Sequence, residues 1–249
     1  GLAGENRVHY ASIEQGRSSA SRLGLGAVMG DKGLKAIVVR GTKDITVARP
    51  AEFINLCDEV LAYIQFREEN PIEGVPPILA GLGSPQEMQL HDEKWHTENF
   101  TWGNARERRK EFWTKEVEKK WSATMDSVQT RLLSCYNCPM KCGASINVPG
   151  LSTYMMKCYS KLTYTMAAFS DLDFGFKIVQ RATEYGVDGF TTPQVIAFAI
   201  ECYEAGILTD EDMPGFPSDS EGRFYWLLDK IVHREGVGDF LANGTHWAA

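Results

Sequence analysis

No apolar stretch among these 249 residues approaches the length of a membrane span, and no cleavable signal opens the chain. Lysine and arginine, 26 together, fall short of the 33 aspartates and glutamates, which leaves a formal charge of −7. The broad basic face that a nucleic-acid binder needs is therefore missing. No internal repeat is visible. The most informative absence concerns cysteine. Three of the six cysteines crowd into Cys135-x2-Cys138-x3-Cys142, yet no second C-x2-C or H-x3-H follows to complete a structural zinc site. Without a secretory signal, a disulfide framework is also disfavoured, and the expected location is cytoplasmic.

What remains is a turn, Ser134 to Ala144, in which Pro139 and Gly143 force the backbone round three thiols. Thiolates packed that closely converge on one point, as a metal or an iron–sulfur cluster requires. Spacing alone favours the cluster over zinc. A cubane cluster wants a fourth thiolate, from Cys57, Cys158, Cys202 or a segment outside this sequence.

At 43% apolar and 24% charged residues, the chain can bury one large core or two smaller ones. Residues 7–48 read as strands and glycine-rich turns, with Leu34–Arg40 as a buried strand. The small residues of Gly16–Gly30 admit close backbone approach, and Arg17 and Arg22 beside them suit an anion. The competing reading is a tight turn packed on its own sheet. From Pro50 the texture becomes helical, through Ile64, with Cys57 read as core packing. Residues 71–86 form a proline- and glycine-rich loop, and 105–120 a solvated helix. Further helices are expected over 172–186, stopped by Gly186, over Pro193–Ala205, with Cys202 in the core, over Glu221 to about Arg234, and from near Asp239. The chain opens on Gly1 rather than methionine and stops at Ala249 within what reads as an unfinished helix, so a piece of a longer polypeptide is expected.

Glu93 and His96 lie three apart, so on a helical turn the carboxylate can orient the imidazole and raise its pKa. Such a histidine is a reasonable proton donor, with Glu87 as a second relay and His91 as a rival. A surface Glu-x2-His pair is the ordinary alternative.

Several stretches are similar to one family. Gly26-Ala27-Val28-Met29-Gly30-x-Lys32-x-Leu34 through Gly41 resembles the signature that closes the first domain of the tungsten aldehyde:ferredoxin oxidoreductases, and Gly1–Asn6 resembles the segment before it. Cys135-x2-Cys138-x3-Cys142 resembles their [4Fe–4S] motif. Asp188, in Gly186-Val187-Asp188-Gly189-Phe190, stands where the family places a pterin-holding aspartate. The resemblance runs along essentially the whole chain. It implies an α+β fragment of a larger three-domain subunit: residues 1–48 end a β-rich pterin-binding domain, and 49–249 belong to a mostly helical domain carrying the iron–sulfur motif. It further implies a tungsten bis-pyranopterin with Mg2+ at its phosphates, approached by Asp188, Arg22, Gly24, Gly26 and Ala27. A fourth cluster cysteine and a second pterin motif would lie beyond Ala249.

Departures refine the resemblance. Where aldehyde-oxidising members carry Gly-Pro-Glu-Tyr-Glu, this chain has Tyr154-Met155-Met156-Lys157-Cys158. A thiolate suits a soft metal. The ATP-independent benzoyl-CoA reductase branch is known for a protein thiolate on tungsten, and its acid–base cluster resembles Glu87-x5-Glu93-x2-His96. The implied activity is dearomatisation of an aryl-CoA to a cyclic dienoyl-CoA, with electrons from a ferredoxin-like iron–sulfur subunit in a hetero-oligomer. The alternatives are aldehyde oxidation to a carboxylic acid, with Cys158 incidental, and a zinc or iron–sulfur module without catalysis.

Overall fold

The computed structural model describes residues 1–15, 18–21, 23–70, 115–134, 136, 138, 143–151, 154–157, 172–189 and 191–248. Its main core joins the beginning of the chain to its end. α7 (Ser220–His233) shows how the residues dictate this. The Asp219 carboxylate accepts a hydrogen bond from the Gly222 N–H at 2.7 Å, which caps the helix start. Phe224, Leu227, Leu228, Ile231 and Val232, spaced i, i+3, i+4, i+7, i+8, then form one buried stripe. Lys230 and His233 in the last turn complement the helix dipole.

Against that stripe packs α5 (Leu172–Tyr185), through Phe174, Ile178, Val179 and Ala182. Phe174 meets Phe224 edge-to-face, with ring centroids 6.1 Å apart. Gly186 ends α5 at φ +75°, and the Val187 N–H reaches back to the Ala182 carbonyl at 3.1 Å, as a Schellman closure requires. α6 (Thr191–Glu204), α8 (Val237–Leu241) and α9 (Thr245–Ala248) complete the helical part.

The first twelve residues dock onto this body. α1 (Leu2–Glu5) leads into a segment whose Val8, Tyr10 and Ala11 are buried. Arg234 clamps it: Nε donates to the Asn6 carbonyl at 2.6 Å and Nη2 to the Arg7 carbonyl at 2.7 Å, while Nη1 holds Asp239 at 2.7 Å. A hairpin, β1 (Ile13–Gln15) with β2 (Ser18–Ala20), follows, then α2 (Leu25–Asp31). The long α3 (Pro50–Glu69) comes next. Later, α4 (Lys115–Val128) leads to an antiparallel meander of β3 (Gln129–Leu133), β4 (Gly143–Ile146) and β5 (Tyr154–Lys157). Among the described residues no helix is long and apolar enough to cross a membrane.

Mixed helix with few strands agrees with an α+β reading, and α3, α5, α6, α7 and α8 lie where periodicity and punctuation place them. Four expectations need correction. Leu34–Arg40 is not a buried strand; it has no regular structure, and Ile37, Val38 and Val39 are 70%, 92% and 86% exposed. A strand needs a ladder partner for its N–H and C=O groups, and none of the described strands pairs with it. Second, residues 7–48 are not dominated by strands, and the glycine-rich stretch is helical from Leu25. Third, Cys57 is exposed on α3 rather than in a core, because the described elements leave that helix uncovered. Fourth, Cys202 is only partly buried.

Candidate functional site

Tyr10–Ser12 is the strip on which two of the expected cofactor landmarks meet. On one side the Ala11 carbonyl accepts the Gly26 N–H at 3.1 Å. On the other, Ala11 bridges Val187, the Ser12 N–H donates to the Gly186 carbonyl at 2.8 Å, and the Asp188 N–H donates to the Tyr10 carbonyl at 3.0 Å. The strip thus holds the glycine segment and Asp188 next to each other although Gly26 and Asp188 lie roughly 160 residues apart in sequence.

The glycines have a packing reason of their own. A Cβ on Gly26 would lie 2.6 Å from the Ser12 carbonyl oxygen, and one on Gly4 would lie 2.7 Å from the Gly26 carbonyl oxygen. Gly30, one turn further along α2, would overlap the Gly4 backbone. Glycines four apart let α1 and α2 cross at backbone distance. Gly24 begins α2 in the left-handed region at φ +66°, against the His9 carbonyl. Ala27 is half-buried beside them, and Arg22 lies outside the described residues.

Asp188 is 1% exposed. Its Oδ2 accepts the Thr191 N–H at 2.6 Å and its carbonyl accepts the Thr192 N–H at 3.2 Å, so it caps the turn that leads into α6. Thr192, fully buried one turn on, has a hydroxyl with no hydrogen-bond partner among the described residues. A buried carboxylate next to an unmatched hydroxyl suits a ligand edge that both donates and accepts hydrogen bonds. A pterin's pyrimidinone edge is of that kind, so the residues present fit the group.

Strand pairing fixes the two residues that flank the cysteine motif. Leu133, the last residue of β3, pairs with Gly143, the first of β4, so the sequence 134–142 that carries the three motif cysteines joins two partnered residues at one end of the meander. Gly143 also pairs with Lys157, the last residue of β5. Cys142 immediately precedes Gly143 in sequence and Cys158 immediately follows Lys157. The register therefore brings the chain to both points from partnered residues at the same sheet end. The strand pairing itself is not legible in the sequence, because three strands of four or five residues carry too little alternation to show it. The Pro149-Gly150 turn, with Gly150 at φ +83°, was the available signal for the β4–β5 return.

Cys138 carries a free, half-buried thiol, and Tyr136 beside it is 80% exposed. Cys135, Cys142, Cys158, Glu87, Glu93 and His96, with the rival His91, lie outside the described residues.

Comparison with known proteins matches residues 1–41 to the N-terminal domain of aldehyde ferredoxin oxidoreductase and residues 62–249 to domains 2 and 3 of the same family. The tungsten-containing aldehyde ferredoxin oxidoreductase of Pyrococcus horikoshii is 31% identical over 99% of this chain and 40% of its own length. The aliphatic sulfonate oxidoreductase, WOR-like subunit, of Pyrococcus furiosus is 30% identical over 100% of this chain and 39% of its own. Among solved structures, a chain of the active site complex BamBC of benzoyl coenzyme A reductase, in complex with 1,5-dienoyl-CoA, is 73% identical with a TM-score of 0.87. It is covered to 38%, against 100% of this chain. The present sequence thus spans about two fifths of the length of each relative. It belongs to the aldehyde ferredoxin oxidoreductase family.

Proposed function

We propose that the chain is part of the tungsten-bearing subunit of an aryl-CoA reductase, which dearomatises a benzoyl-CoA-type thioester to a cyclic dienoyl-CoA. The observation that carries this reading is the 73% identity, along the whole chain, to a protein solved within a benzoyl coenzyme A reductase complex. The named aldehyde-oxidising relatives stand at 30–31%.

On this reading Cys135, Cys138 and Cys142 hold a [4Fe–4S] cluster, Cys158 is a tungsten ligand, and Asp188 holds a pterin of a bis-pyranopterin whose phosphates bind Mg2+. The pairing of Gly143 with Lys157 supports a shared neighbourhood for the cluster motif and Cys158. When bound, the tungsten centre supplies electrons at low potential, delivered through the cluster from a ferredoxin-like iron–sulfur partner subunit. The net reaction adds two electrons and two protons to the ring. His96 donates a proton to a ring carbon, Glu93 orients its imidazole, and Glu87 relays protons from the other side. A dry cavity keeps the electrons from reducing solvent protons.

The test uses the full-length subunit in its complex. His96→Ala is expected to lower ring reduction by about 10²–10⁴-fold, the usual scale of a general acid, with tungsten content intact. An unchanged rate would remove the acid role. Aldehyde oxidation is the second reading, favoured by the 31% identity to the Pyrococcus horikoshii enzyme. Assaying one preparation with an aldehyde and with an aryl-CoA separates the two. Elemental analysis giving zinc without tungsten would defeat both.

A further inference from the structure

Thr192 is fully buried, and its hydroxyl has no hydrogen-bond partner among the described residues. An unmatched buried hydroxyl is destabilising, so a native fold retains one where a partner arrives from elsewhere or the group has a task. A helical threonine ordinarily satisfies itself by bonding back to the carbonyl four residues earlier. Here that carbonyl belongs to Asp188 and receives the Thr192 N–H at 3.2 Å, while the hydroxyl stays unmatched. Thr192 therefore rises one turn above the carboxylate assigned to the pterin. The backbone that carries Asp188 is fixed to Tyr10, and the neighbouring Val187 to Ala11, so this turn has little freedom to reorganise.

We propose that Thr192 is a second pterin-holding residue: its hydroxyl completes its hydrogen bonding on the same pyrimidinone edge that Asp188 binds. The proposal rests on the placement of the pterin at Asp188. It adds a neutral group that can donate or accept to a carboxylate that only accepts, which suits an edge carrying both amide-type N–H groups and a carbonyl.

The experiment compares Thr192→Val, Thr192→Ser and Asp188→Asn in the full-length subunit, purified with and without cofactor. Valine keeps the volume and removes the hydroxyl; asparagine keeps the turn's cap and removes the charge. Thr192→Val is expected to lose pterin and tungsten about fivefold faster on dilution, the scale of one hydrogen bond. The Tm of its cofactor-free form should be unchanged or higher, since an unmatched hydroxyl has left the core. Thr192→Ser should retain cofactor like the wild type. Wild-type retention by Thr192→Val would overturn the proposal. So would a lower cofactor-free Tm in Thr192→Val alone, because the hydroxyl would then have a structural partner. If Asp188→Asn releases pterin while Thr192→Val holds it, only this inference fails. If both hold it at the wild-type rate, the placement at Asp188 fails with it.

Discussion

α7 buries Phe224, Leu227, Leu228, Ile231 and Val232 to 1% exposure or less, whereas the longer α3 leaves Phe53, Ile54, Leu56, Val60, Leu61, Tyr63 and Phe66 between 41% and 59% exposed. Both helices are rich in apolar residues. In α7 these form a single stripe, and α5 and the docked N-terminal segment lie on it. In α3 they spread around more of the cylinder, as in a helix covered from several sides. The extended stretch before α3 repeats the contrast, with Ile37, Val38 and Val39 open while Val8, Tyr10 and Ala11 are closed. Periodicity reports which face an element must cover; burial depends on what is present to cover it.

The largest effect that would break this comparison is expected in the core. Phe224→Ala should cost about 3–5 kcal/mol, because the cavity opens against Phe174 where the helices cannot easily collapse. Phe53→Ala on α3 should move the urea midpoint of the same chain little, being 53% exposed. Equal midpoints for the two variants would mean that α3 is as well packed as α7.

A second effect, smaller and of opposite sign in the two regions, comes from one kind of substitution. Gly30→Ala places a methyl group into the Gly4 backbone, and overpacking at such a crossing should cost about 1–3 kcal/mol. Gly41→Ala meets nothing within 4 Å and needs no positive φ. It should be neutral or stabilise by up to about 1 kcal/mol through the unfolded chain. Thermal melts of both variants check the sign. A destabilising Gly41→Ala would show that residues near 41 are packed after all.

The same contrast explains what could be read in advance. Asp219, Gly186 and the stripe of α7 are local signals, so those helices were legible to within two or three residues. The cysteine turn was legible because close thiols have few other uses. Leu34–Arg40 and Cys57 were misread because their composition speaks of burial while the covering partner is not a property of the segment. The small residues of Gly16–Gly30 leave two readings open, an anion loop or a tight turn packed on its own sheet, although the four-residue spacing of Gly26 and Gly30 also fits a helix crossing. The nearness of Asp188 to Gly26 depends on strip pairing at Tyr10–Ser12, which periodicity does not encode.

The smallest predicted effect sits at the outer edge of the packed body, where α5 meets α7. The Tyr185 hydroxyl donates to Asp229 at 2.5 Å, while Arg181 lies over its ring at 4.5 Å. Burial first, then the bond to the Asp229 carboxylate, pushes the phenol up to about 12 from its usual 10, with Arg181 pulling the other way. A pKa raised by folding means that the protonated form is favoured in the native state. The contribution to stability is therefore complete below pH 10 and is lost as pH rises through 12. Tyr185→Phe removes the group. The stability difference between wild type and Tyr185→Phe should hold constant up to pH 10 and shrink between pH 10 and 12. The ring still packs against His233 in the variant, so the hydroxyl alone is tested. A difference that stayed flat across that window would mean the phenol titrates alike in the folded and unfolded chain, and that the packed body ends before this edge.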